Sequence, residues 1–134
     1  MDDGEEFLQL LERRTQTHGH FGHRDHLELS WTMLRRHGYD RGRAEIAAGL
    51  RRAAVAHGLP NRYHETITTF WTRILHHVMR RSPDSESFDQ LTARFPLLLD
   101  KNLIERHWSR ALLFDDPRSR TSWVAPDLRP LPPD

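Results

Sequence analysis

Between Asn61 and Arg81 the apolar residues Tyr63, Ile67, Phe70, Trp71, Ile74 and Val78 return at helical intervals, with no glycine or proline between them. That spacing places them on one broad face of an α-helix. Such a face is stable only when covered, so the rest of the chain must supply partners for it. It supplies more helices. Residues 5 to 16 carry Phe7, Leu10 and Leu11 at helical spacing among acids and arginines. From about residue 23 to 37, Leu27, Trp31 and Leu34 recur, and Gly38 follows where a helix C-terminus favours glycine. A further helix is predicted from Asp40, a residue suited to an N-cap, through Ile46, Leu50 and Ala53 to His57-Gly58, ahead of Pro60.

After Ser82-Pro83-Asp84 breaks the long helix, Ser87 and Gln90 have capping-box spacing before Leu91 and Phe95, and Pro96 closes that element. Another helix is predicted after Asp100, with Leu103, Ile104, His107 and Trp108. Beyond Pro117 the prolines oppose regular structure, yet Trp123, Val124, Leu128 and Leu131 give the segment apolar groups to bury. The expected fold is all-α: a compact up-down bundle of about five to six helices with an extended, proline-rich C-terminal segment packed on it. One domain over residues 1–134 is expected, with an N-terminal helix and loop at 1–19 and the extended segment at 117–134.

Composition narrows the functional classes. There is no cysteine, which removes disulfides, thiolate ligands, iron–sulfur clusters and a cysteine nucleophile. Twenty basic and nineteen acidic residues leave a net charge of +1, too weak a field to argue for nucleic acid. The longest apolar runs, such as Leu97-Leu98-Leu99, fall far short of the roughly 20 residues that span a bilayer. The acidic start Met1-Asp2-Asp3-Gly4-Glu5-Glu6 lacks the features of a targeting segment, so a cytoplasmic location is expected. No glycine-rich phosphate loop or nucleotide fingerprint is visible, and no organic cofactor is expected.

The chemistry-bearing feature is histidine: ten in all, with His18, His20, His23 and His26 in one short stretch. Short connections make neighbouring helices antiparallel, so the helices that begin near His23 and His64 should run parallel and share an end of the bundle. His23 continues a row through Leu27, Ser30 and Leu34, His26 lies beside Ser30 and Met33, and His64 heads the row Ile67, Trp71, Ile74 and Val78. The three rings are therefore expected to converge at the core or its rim. Crowded neutral imidazoles need an acceptor for their lone pairs, and a divalent transition metal is one. Zinc, iron, copper and nickel all take imidazole, and three histidines do not choose among them.

The other reading of the triplet is that it marks helix ends and binds nothing. His37 and His57 each precede a glycine at a helix C-terminus, where positive charge favours the dipole. His76 and His77 fit surface or capping positions, while His18 and His20 fit a solvated loop with an alternative use as ligands. Glu65 follows His64, but a zinc-protease motif needs a second His where this chain has Thr68. Glu65 is thus either a first-turn carboxylate favoured by the helix dipole or a fourth ligand or base. Tyr63 is either a core aromatic or a hydrogen-bond donor to a ligand, and Thr66 offers a hydroxyl. Glu28 fits a solvated position, His107 is a further candidate to close the site, and Arg24, Arg62 and Arg106 offer anion recognition.

The motifs Phe21-Gly22-His23-Arg24-Asp25-His26-Leu27 and Tyr63-His64-Glu65-Thr66, with the ending Trp123-Val124-Ala125-Pro126-Asp127-Leu128, resemble an uncharacterised family of small bacterial helical proteins. The resemblance spans His20 to Leu131 and implies a shared helical domain. His23, His26, His64 and Glu65 occupy its motif positions, whereas His107 stands where an aromatic such as Tyr is expected.

The functional expectation is a small metal-dependent enzyme, with His23, His26 and His64 holding one divalent ion that acts on a small-molecule substrate by Lewis-acid or metal-bound-water chemistry. The reaction would be of lyase, hydrolase or cyclase type, with Glu65 as ligand or proton acceptor and Tyr63 as donor. A non-catalytic helical module, with a structural or sensory metal or a partner-binding surface, is the alternative. An iron- or copper-dependent oxygenase is a second one. Neither a nucleic-acid nor a membrane partner is expected, and a homo-oligomer is compatible with the sequence.

Overall fold

The computed structural model describes residues 3–133. The chain is all-α, with no strand among the described residues, and no helix is long and apolar enough to cross a membrane. Its contacts fall into two compact units, one running to Tyr63 and the other starting at His64.

The first unit contains α1 (Glu5–His18), α2 (His23–Ala56) and a 3-10 turn at Pro60–Arg62. The two helices expected on either side of Gly38 form one continuous assignment, but the backbone is broken there, with φ 79° and ψ 179° at Gly38. That left-handed φ is open to glycine and strained for other residues. A Cβ on Gly42 would stand 3.0 Å from both the Met33 carbonyl oxygen and the Leu34 side chain, so the second arm of α2 folds back on the first. The helical hairpin read from the sequence is present; Asp40 lies inside the second arm rather than at its cap.

α1 lies against this hairpin through glycine. A Cβ on Gly49 would fall 2.7 Å from the Phe7 side chain, and one on Gly4 would fall 2.3 Å from the Gly49 nitrogen. Gly4, at the N-cap of α1, has no side chain to satisfy the first N–H groups. Glu45 does so from α2, where its carboxylate accepts from the backbone N–H of Gly4 at 3.0 Å and of Phe7 at 3.2 Å.

The second unit holds α3 (Glu65–Arg81), α4 (Phe88–Arg94), α5 (Pro117–Thr121) and, before α5, 3-10 turns at Pro96–Leu99 and Leu103–Arg106 and a π-turn at Ala111–Asp115. The expected capping of α4 is present, with the Ser87 hydroxyl accepting from the Gln90 N–H at 3.1 Å. Three boundaries differ from the sequence reading. α3 starts four residues later than expected, because Tyr63 and His64 are extended and His64 caps the helix. The helix expected after Asp100 is only a 3-10 turn, since the His107 carbonyl accepts from Leu128 N–H at 2.9 Å and Ser109 N–H donates to Asp127 at 2.7 Å. Finally, Pro117 opens a short helix whose N-cap, Asp116, accepts from Arg118 N–H at 3.0 Å, so the irregular segment begins after Thr121.

That final segment is pinned within its unit. The Trp108 indole donates to the Val124 carbonyl at 3.0 Å, while the Thr66 hydroxyl donates to the Ser122 carbonyl at 2.9 Å and accepts from Val124 N–H at 3.2 Å. Trp108, fully buried, stands edge-on to both Phe70 and Trp123 at 5.4 Å between ring centroids.

Candidate functional site

His23 and His26 share the first turn of α2 in the first unit, and His64 opens the second. The two ends differ in how their imidazoles are satisfied. His64 is buried and its ring is fully used: Nδ1 accepts from the Ile67 N–H at 3.1 Å, so Nε2 carries the proton and donates to the Leu113 carbonyl at 2.7 Å. Burial opposes its positive form, the Leu113 carbonyl favours it, and the Arg120 charge opposes it again; the balance lowers its pKa.

His26 has the opposite status. Its Nε2 is buried without a hydrogen-bond partner among the described residues, and so is the hydroxyl of Ser30, one helical turn on. Burial, with the charge of His23 as a smaller contribution, pushes the His26 pKa down to about 4. The ring is therefore neutral at physiological pH, with one nitrogen that no group among the described residues satisfies.

Asp25, between them in sequence, is a residue the sequence reading did not single out. Its carboxylate accepts from the Gly22 N–H at 3.0 Å and faces His18 Nδ1 at 3.1 Å, Arg14 at 3.5 Å and His20 at 3.9 Å. Burial works against its charge, but the Gly22 N–H, the His18 ring and Arg14 outweigh it and hold the carboxyl below the usual range. The available signal was an acid at the third helical position, where a capping carboxylate reaches back to the chain entering the helix. Arg14 also binds Glu28 at 2.9 Å, so Glu28 is tied to α1 rather than merely solvated.

The other candidates have structural partners. Glu65 accepts from the Thr69 hydroxyl at 3.4 Å, along the polar row that its spacing defines. Tyr63 lies outside α3, and the Arg51 guanidinium stands 4.5 Å over its ring. His107 is held by the Arg129 carbonyl at 3.0 Å, and His37 by Glu6 at 2.7 Å. Among the described residues, no group of three or more His, Asp or Glu side chains is gathered so as to hold a metal ion. No protein-family model matches the chain, and neither the curated proteins nor the solved structures provide a match.

Proposed function

We propose that the chain is a small metal-dependent enzyme acting on a small molecule, with His26 as the principal protein ligand and His23, one turn earlier on α2, as the second. The observation that carries this reading is the buried, unpartnered Nε2 of His26 beside the equally unpartnered Ser30 hydroxyl. Leaving such atoms unsatisfied costs about 1–3 kcal/mol each, a cost that a bound cation and its water would offset. A divalent transition metal supplies Lewis-acid chemistry at such a position. His26 contributes a neutral nitrogen that needs no deprotonation, and Ser30 a hydroxyl that can donate to or accept from what binds beside it. Both nitrogens of His64 are already bonded, to the Leu113 carbonyl and the Ile67 N–H, and it is not counted among the ligands. Glu65, as ligand or proton acceptor, and Tyr63, as donor, belong to the same proposal with less support, since Thr69 and Arg51 already engage them.

A second reading, a non-catalytic helical module, is favoured by His64, whose ring is spent entirely on capping α3 and anchoring Leu113. Metal titration of untagged, chelator-stripped protein separates the two. The enzyme reading expects one equivalent of zinc or cobalt to bind, with affinity reduced at least about tenfold in His26→Ala. Absence of stoichiometric binding, or unchanged affinity in that variant, overturns the metal centre.

A further inference from the structure

A second feature of the first unit is a shallow cleft of about 250 Å³ lined by Leu10, Arg13, Arg14, Thr17, His18 and Leu29. None of the proposed metal ligands lines it. Its cationic groups are committed to different degrees. Arg14 is held by Glu28 at 2.9 Å and Asp25 at 3.5 Å, so two carboxylates already balance it. Arg13 makes no ion pair among the described residues. His18 turns Nδ1 to Asp25 at 3.1 Å, and Asp25 is fixed in turn by the Gly22 N–H at 3.0 Å. A buried carboxylate holding one ring nitrogen orients the imidazole and leaves Nε2 as the nitrogen available to a ligand.

We propose that this cleft binds a small monocarboxylic acid with an apolar body. The carboxylate pairs with the Arg13 guanidinium beside His18 Nε2, while the hydrocarbon lies on the half-buried Leu10. The charges facing His18 are Asp25, Arg14 and the neighbouring His20, whose ring centroid is 6.3 Å away. One uncompensated guanidinium suits a monoanion; a phosphate dianion would need a second cation, and Arg14 is already balanced. Leu10, half-buried, adds a preference for an organic acid over an inorganic anion.

The test is a titration of the full-length, isotope-labelled chain at pH 6 with benzoate and, separately, inorganic phosphate, following backbone amide shifts. Benzoate should produce saturable shifts centred on Thr17 and His18, and Arg13→Gln should weaken binding about tenfold. Arg43→Gln, at an exposed position outside the cleft, should leave it unchanged. Shifts that do not saturate, phosphate binding as tightly as benzoate, or equal affinity in Arg13→Gln would each overturn the proposal.

Discussion

The two units bury histidine under similar pressure and resolve it differently. In the second, His64 is desolvated but both nitrogens are bonded, one to its own helix and one to a carbonyl 49 residues away. In the first, His26 is only half-buried as a residue, but its Nε2 is shut off from solvent and has no partner among the described residues. Burial and a lowered pKa are common to both rings, so neither property by itself marks a binding site. The missing partner is what separates them. The units also differ in how they are held: α1 is tied to α2 by Glu45, by Glu6 with Arg36 and His37, and by Arg14 with Asp25 and Glu28. The second unit centres instead on Phe70, Trp108 and Trp123, with the C-terminal segment bonded over them.

The largest effect expected from this contrast is in His64→Ala. Losing the cap and the bond to Leu113 should cost about 3 kcal/mol in urea unfolding, with about 1 kcal/mol regained in His64→Asn, which can still cap. A loss no greater than that of an ordinary surface substitution would erase the contrast.

Acidification tests the other side. His26 titrates near 6.5 when unfolded and at about 4 in the folded chain, so the unfolded state binds more protons between those values. Its contribution is complete above pH 6.5 and is lost as the pH falls through 4. With a chelator present the loss should be roughly 2 kcal/mol, allowing for the part of the ring that reaches solvent, and His26→Leu should flatten that slope. An unchanged slope in His26→Leu would assign the acid sensitivity to other groups. The smallest effect concerns the tie between α1 and α2. Glu45→Ala should cost about 1 kcal/mol and speed hydrogen exchange at the Gly4 and Phe7 amides, leaving amides of the second unit unaffected.

Most of the helices were legible in the local pattern. Period and punctuation specify the amphipathic face of α3, the break at Gly38, the Ser87 cap and the stop at His57-Gly58, because these depend on residues within a turn or two of one another. What the polar side chains do depends on partners brought from far along the chain. His64 becomes a cap because Leu113 lies within reach of its other nitrogen. Glu45 reaches the start of α1 from 38 and 41 residues away, and the turn after Asp100 stays short because residues near 128 claim its carbonyl. Hydrogen bonds of that kind join residues distant in the chain, and no local periodicity records them. The histidine spacing could therefore nominate His23, His26 and His64 together, while the unpaired nitrogen that distinguishes His26 emerged only once every possible partner had been placed around it.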